Sequence, residues 1–354
     1  MCAEVVDPDD GMLDVGPFLE RAAGFLPIPV VITEPAVGYG GGIVAMFVRP
    51  RRAAGREGYA RPDISAIGVV RTRNGTHMTF AADMTRWLDG RLRTLAGGGG
   101  GAINLDVYGL GDAPGDADRG VRHTFDIKAA GCQVDWQLAP GSPWSVGGRL
   151  VYAEVVPRLR DAPPFPGLED RTRVRIAGPG IVLMHDTRDN LFTPTRGGYA
   201  EAGLIASDAA FGADADFRRV NALGIAYWPL AARITLGMRG DYLQVSDGAP
   251  FFVRPFILMR GIPVMRYPGE KVAQAEVEAR WQFHGRWSAV AFAGAGVARL
   301  DEGRAARDKA AGAAGVGLRY EIARRFGMHV GLDVARGPEE TAVYLQVGNA
   351  WFRP

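Results

Sequence analysis

Two short segments of this chain bring arginine and carboxylate side chains together, and neither has the pattern of a covalent catalyst. Asp186-Thr187-Arg188-Asp189 places two carboxylates and a guanidinium within four residues, and Pro194 and Gly197 follow in the same connection. Such a cluster can cross-pair its charges, satisfy backbone N–H groups and fix a turn. The expected role of Asp186, Arg188, Asp189, Pro194 and Gly197 is therefore structural. Arg260-Gly261 stands in the stretch from Ser246 to Glu270, which also carries Phe251, Phe252, Phe256, Ile257, Leu258 and Met259. That stretch is too apolar for a loop in open solvent, and a long apolar loop is usually functional or folded back on the protein. An arginine carried inward by it needs an acid, because its planar fork matches carboxylate oxygens and is costly to bury alone. Asp333 is the first candidate partner and Glu278 the second; a plainer reading pairs these acids with neighbouring Arg319 and Arg280.

Enzyme motifs do not occur. The histidines His77, His123, His185, His284 and His329 are scattered without His-Glu-x-x-His or other metal-ligand spacing. Gly38, Gly40, Gly41 and Gly42 evoke a nucleotide loop, but no P-loop Lys-Ser/Thr follows, and no Gly-x-Ser-x-Gly elbow is present. Cys2 and Cys132 are the only cysteines, too few for a structural zinc site, and read as free thiols. A formal net charge of +2 without a Lys/Arg block gives no phosphate track. The expectation is a protein with no catalytic residues, no cofactor, no metal and no nucleic-acid partner.

The elements that must carry these residues read as strands. Residues 12 to 25 have apolar side chains at helical spacing and suggest one short amphipathic helix. Beyond it, runs separated by turn signals such as Arg73-Asn74-Gly75 give about sixteen strands: 26–33, 37–49, 63–73, 77–90, 102–111, 120–138, 143–157, 171–187, 198–207, 217–229, 233–246, 271–283, 287–298, 310–322, 326–335 and 341–352. The Gly97–Gly101 run and the segment from Asp112 to Gly120 read as loops.

Alternation gives each strand two faces. Ile234, Leu236, Met238 and Tyr242 oppose Arg233, Thr235, Gly237, Arg239 and Asp241. Met328, Val330, Leu332 and Val334 oppose His329, Gly331, Asp333 and Ala335. A soluble sandwich would alternate too. Strand number, strand length, opposite charges on the small-residue face, and aromatics near strand ends (Tyr227, Trp228, Trp281, Trp287, Trp351) favour a membrane barrel. No run reaches the roughly 18 apolar residues of a spanning helix, which does not bear on a barrel. The fold class expected is all-β: a 16-stranded antiparallel transmembrane β-barrel with a long inward-folded loop and a short N-terminal helix. Its organisation would be an extension over 1–25 and a barrel over 26–354.

In this order, the Asp186–Gly198 segment, Met259-Arg260-Gly261-Ile262-Pro263 and the chain end Val343-Tyr344-Leu345-Gln346-Val347-Gly348-Asn349-Ala350-Trp351-Phe352 resemble the outer-membrane assembly-factor superfamily of BamA and TamA, the bacterial surface antigen family. The resemblance implies that Arg260 and Gly261 lie in the sixth extracellular loop, folded into the lumen against wall carboxylates. Ile262-Pro263 departs from the aromatic usual there. Asp186–Gly198 resembles the family's turn between strands eight and nine. Val343, Leu345, Val347 and Trp351 resemble the C-terminal strand signal read by the insertion machinery, with Arg353-Pro354 extending past it.

The resemblance covers roughly residues 26–352 and not the periplasmic transport-associated domains, so a barrel-only member is expected. Met1 to Gly11 shows no export signal, and the expectation is that the chain begins mature or downstream of one. It implies a bacterial outer-membrane protein, surrounded by outer-membrane lipid and serving membrane protein assembly or translocation. Its partners would be client outer-membrane proteins or periplasmic factors. The implied mechanism is a weakly zipped seam between first and last strands, where Pro27, Pro29 and Pro35 remove ladder donors. The alternative is a passive pore or lipid-export channel of the same fold. A lumen plugged through Arg260 favours the first reading and an open lumen the second.

Overall fold

The computed structural model describes all residues except 1–5, 22–24, 35, 50–61, 109–119, 161–171, 303–304 and 354. Its strands are β1 (Phe25–Ile32), β2 (Gly40–Arg49), β3 (Asp63–Thr72), β4 (His77–Trp87), β5 (Leu92–Val107), β6 (Val121–Gln137), β7 (Trp144–Leu159), β8 (Val174–Asp186), β9 (Gly197–Ser207), β10 (Phe217–Ala231), β11 (Ile234–Val245), β12 (Lys271–His284), β13 (Trp287–Glu302), β14 (Ala305–Ala323), β15 (Met328–Arg336) and β16 (Thr341–Val347). All pair antiparallel with their sequence neighbours in one 16-stranded sheet. The sheet curls into a nearly closed barrel, and among the described residues no ladder joins β16 back to β1. The chain enters at what we call the near end; the connection from β11 to β12 lies at the distal end.

Register sets which side chains face the lumen. Asp333 is paired with Gly317 and Tyr344, and Gly237 with Tyr227 and Glu278, so these positions share the inner face. The intervening residues form an outer belt in which Ile181, Val220, Met238, Val316, Leu332 and Val343 are exposed. Such a belt suits lipid contact, since each strand shows lipid only every second side chain. Exposed Trp87, Trp136, Trp144, Trp228 and Trp281 stand where their strands meet the near end, an aromatic girdle. Two aromatics expected in that girdle are not there: Tyr227 and Trp351 are buried inside.

Two further expectations change. The run Gly97–Gly101 is not a loop but the middle of β5. Phe80, paired with Gly68 and Gly99, crowds both glycines, and a Cβ on Gly99 would also fall 2.3 Å from the Thr79 carbonyl oxygen. The glycines therefore admit an aromatic into the lumen rather than break a strand. The helix is shorter than expected, α1 (Gly16–Arg21), because Asp14 accepts the Gly16 N–H at 2.7 Å and Val6 and Leu13 form a bridge. Pro35 and the segment 112–119 lie outside the described residues, as does Cys2; Cys132 is an exposed free thiol.

Candidate functional site

Inside the barrel, charges are matched along and between strands. Arg93 meets Asp135 at 2.8 Å, Arg149 meets Glu201 at 3.2 Å, and Arg239 meets Asp241 and Glu276 at 2.5 and 2.9 Å. These pairs hold because the lumen wall excludes most water, so an unpaired charge there would be expensive.

The connection from β11 to β12 folds into this lumen. Phe251, Phe252, Phe256 and Val264 pack against Phe125 and Val155 on one wall, while Ile257, Met259 and Ile262 pack against Val272, Ala298 and Ala311 on another. Small residues on β13 make room: a Cβ on Gly294 would lie 2.9 Å from Met259 Sδ, and one on Gly296 3.0 Å from Ile257 Cγ2. Further backbone links hold the loop. Leu258 N–H donates to Gln274 at 2.7 Å, Val264 N–H to Glu34 at 3.0 Å, and Gly261 N–H to the Tyr344 hydroxyl at 2.9 Å. At the distal rim Arg266 and Tyr267 both donate to Glu339.

Arg260 is the loop's inward anchor, with both expected acids around it. Its Nη1 donates to Asp333 Oδ2 at 2.7 Å, and its Nη2 lies 2.8 Å from Glu278 Oε2. The second contact is an ion pair at an angle that does not make a hydrogen bond. The guanidinium also sits 3.5 Å from the Phe292 ring centroid, where a desolvated cation is attracted to the ring face. Half of the plainer pairing occurs as well: Arg319 grips Asp333 with two hydrogen bonds of 2.5 and 2.8 Å, while Arg280 donates to the Pro194 carbonyl and not to Glu278. Asp333, fully buried, thus serves two arginines. Gly261 follows with φ of 89°, and a Cβ there would meet Ala313 and Ala335 at 3.1 and 3.2 Å. Both conformation and space call for glycine.

The Asp186–Gly198 segment does more than turn. Arg188, buried, forks onto Asp186 at 3.0 and 2.7 Å and lies 4.7 Å from the Tyr199 ring. Asp189 accepts the Thr195 N–H at 2.9 Å, and Gly197 has φ of 84°. The residues between fold inward across the near end: Leu191, Phe192 and Thr193 are buried. The Pro194 carbonyl accepts from Arg280 on β12 at 3.0 Å, and Asn190 donates to the Phe326 carbonyl at 2.9 Å.

The chain end departs from expectation. Val343, Leu345 and Val347 share the outer face of β16, but the strand stops at Val347 and Trp351 does not continue their row. Gly348, at φ of 77°, turns the chain inward, and Asn349 donates to the Phe192 carbonyl at 2.8 Å. Trp351 then packs among Tyr199, Leu223, Ile225 and Tyr227 and donates its indole N–H to Glu276 at 2.9 Å. An indole inside the lumen needs such an acceptor.

A clamp not foreseen from the sequence closes the near end. Arg286, in the turn between β12 and β13, is fully buried and pairs with Asp7, Asp10 and Asp14 of the N-terminal segment. Arg324 joins Asp7 and Asp10. The hydrogen bond from Arg286 holds the Asp10 carboxyl below its ordinary range. The recurrence of Asp7, Asp10 and Asp14 was the available signal; a partner more than 270 residues away was not.

No protein-family model and no curated protein sequence matches the chain. Solved structures do match in fold. BamA from Haemophilus ducreyi lacking POTRA domains 1-3 aligns at TM-score 0.58 and 10% identity, over 98% of this chain and 80% of that one. CdiB from Escherichia coli aligns at TM-score 0.64 and 13% identity, and CdiB from Acinetobacter baumannii at 0.62 and 11%, each over 91% of this chain. The chain spans 61% and 59% of those two CdiB chains. The fold is that of the BamA and CdiB barrels.

Proposed function

We propose that this protein is an outer-membrane barrel of the BamA and TamA kind, acting in the insertion or translocation of polypeptide clients. Outer-membrane lipid would surround it, with client outer-membrane proteins or periplasmic factors as its partners. The observation that carries this reading is the seam. β16 offers only seven residues, all paired to β15, and no ladder among the described residues joins it to β1. Pro27 and Pro29, two apart on β1, lack N–H groups toward the same neighbour. Unpaired backbone groups in lipid cost several kcal/mol each, so an incoming client strand that paired there would be strongly favoured. Strand addition of this kind needs only a free edge and leaves sequence choice to alternate side chains. The inward loop and the folded near end support the same reading against a passive pore, because both occupy the lumen.

The test locks the seam. Ile28 and Val347 pack against one shared cluster from the two sides of the seam, so Ile28→Cys with Val347→Cys, in a Cys2→Ser/Cys132→Ser background, should be joined by a bis-maleimide with a reducible spacer. Liposomes carrying this variant would receive a urea-unfolded barrel client, whose folding is followed by its heat-dependent gel mobility. Accelerated folding before cross-linking, loss once the linker is in place and recovery when reductant cleaves its spacer is the expected result. Equal client folding with the seam locked, or no acceleration in either state, would transfer the reading to the passive pore or lipid-export channel.

A further inference from the structure

The lumen wall is polar along much of its length but turns apolar toward the distal end of β5 to β10. Leu105, Phe125, Ile127, Val155, Ile176 and Ile205 line it there. The inward loop covers them with Phe252, Phe256, Val264 and Met265 without filling the space, and a cavity of about 400 Å³ remains. That volume falls among ordinary small-ligand sites, which are mostly apolar with a few placed polar groups.

One charged side chain lines this cavity, Arg219 on β10. It is half-buried and makes no hydrogen bond or ion pair among the described residues. Its neighbours explain why. Arg219 also borders a second cavity of about 410 Å³ whose acids are Glu201 and Asp241. Glu201 already accepts from Arg149, Tyr199 and Asn221. Asp241 already pairs with Arg239 and accepts from Gln274. Arg353 adds a further positive charge at the edge of the same cavity. Each of Arg93, Arg149, Arg239, Arg260 and Arg319 faces a carboxylate in this lumen; Arg219 does not.

We propose that this cavity binds a single-chain anionic amphiphile, with its alkyl tail between the β5–β9 wall and the loop and its headgroup on Arg219. The tail would cover the inward apolar surface, and a carboxylate or phosphate monoester would supply the anion that Arg219 lacks. The site stands on the geometry of the lumen and not on client insertion, so each can fail without the other.

The experiment uses the full chain in phosphatidylcholine nanodiscs, with radiolabelled dodecanoate measured by equilibrium dialysis against empty discs. Saturable binding above the empty discs is expected, with dodecanol and inorganic phosphate at least tenfold weaker as competitors. Dodecyl phosphate competing as well as or better than dodecanoate assigns a phosphate headgroup; weaker competition assigns a carboxylate. Arg219→Gln should weaken binding at least tenfold and Arg219→Lys less. Ile127→Trp should abolish it by filling the tail site while leaving Arg219 in place. Heat-dependent gel mobility of each variant confirms a folded barrel. No saturable binding, equal competition by dodecanol, or undiminished binding to Arg219→Gln overturns the proposal.

Discussion

Removing Arg260 should free the inward loop while leaving the barrel wall intact, and removing Asp333 should do the reverse damage. Arg260→Ala loses one charge-assisted hydrogen bond to Asp333, worth roughly 1.5–3 kcal/mol. It also loses a desolvated contact with the Phe292 ring, worth about 2 kcal/mol. Asp333 is not stranded, because Arg319 keeps its two hydrogen bonds to it, whereas Glu278 loses its ion pair with Arg260, which adds to the cost. The loop anchor should therefore weaken by about 3.5–5 kcal/mol, raising the released population roughly 300- to 4000-fold, at 1.4 kcal/mol per tenfold. Asp333→Asn instead leaves Arg319, a side chain only 3% exposed, without its acid, and the cost falls on the β14–β15 wall.

Ile262, 1% exposed in the loop, reports release directly. Ile262→Cys in a Cys2→Ser/Cys132→Ser background should react slowly with a polyethylene-glycol maleimide, and at least 100-fold faster once Arg260→Ala is added. Asp333→Asn should chiefly lower the temperature at which the barrel loses its compact gel mobility. The double variant should cost less than the sum of the singles by about 1–3 kcal/mol, since the two residues share one contact. An unchanged maleimide rate in Arg260→Ala, or additivity within about 0.5 kcal/mol, would show that the loop is held by its apolar packing and that Arg260 is incidental.

At the near end, Arg286→Ala strands Asp14, while Arg324 keeps Asp7 and Asp10, and should loosen the N-terminal segment, toward the low end of the roughly 3–5 kcal/mol for a broken buried pair because Arg324 remains; limited proteolysis before residue 21 reads it. Because the folded state holds Asp10 below its ordinary value of 3.8, its contribution is present above that pH and lost as pH falls through the depressed value. Proteolytic protection should therefore fall at acid pH, and Asp10→Asn should remove part of that dependence. Trp351→Phe removes the indole hydrogen bond to Glu276 and should cost about 1.5–3 kcal/mol, seen as a lower unfolding temperature of the folded barrel. On the outer belt, Leu332→Arg should destabilise the membrane-inserted barrel by up to about 2–4 kcal/mol, measured by urea titration in lipid vesicles, whereas the outward row on a soluble protein would tolerate it.

How much of this was legible in the sequence depends on the range of the physics involved. Alternation is local, with period two, so Ile234 to Tyr242 and Val330 to Val334 disclosed their faces, and short turns between neighbours ordered the strands. Gly97–Gly101 misled because glycine is also what a strand uses to admit a neighbouring aromatic, and Phe80 lies a strand away. Trp351 misled because Gly348 reverses the alternation just before it, and a positive φ leaves no mark beyond the glycine itself. The helix was overread because Asp14 and the Val6–Leu13 bridge take up the residues that helical spacing had claimed.

The site divides the same way. Arg260 and its two acids could be named because an arginine in an apolar loop and acids on a small-residue face each violate their surroundings, and the same penalty resolves both. What could not be read was the count of partners. Asp333 holds Arg319 as well as Arg260, while Arg219 holds none among the described residues. Sequence spacing says which charges face the lumen; only the curvature of the wall and the path of the loop decide which of them meet. Arg219 is left over because the acids nearest it, Glu201 and Asp241, are already engaged, and that residue is where a ligand's charge has the most to gain.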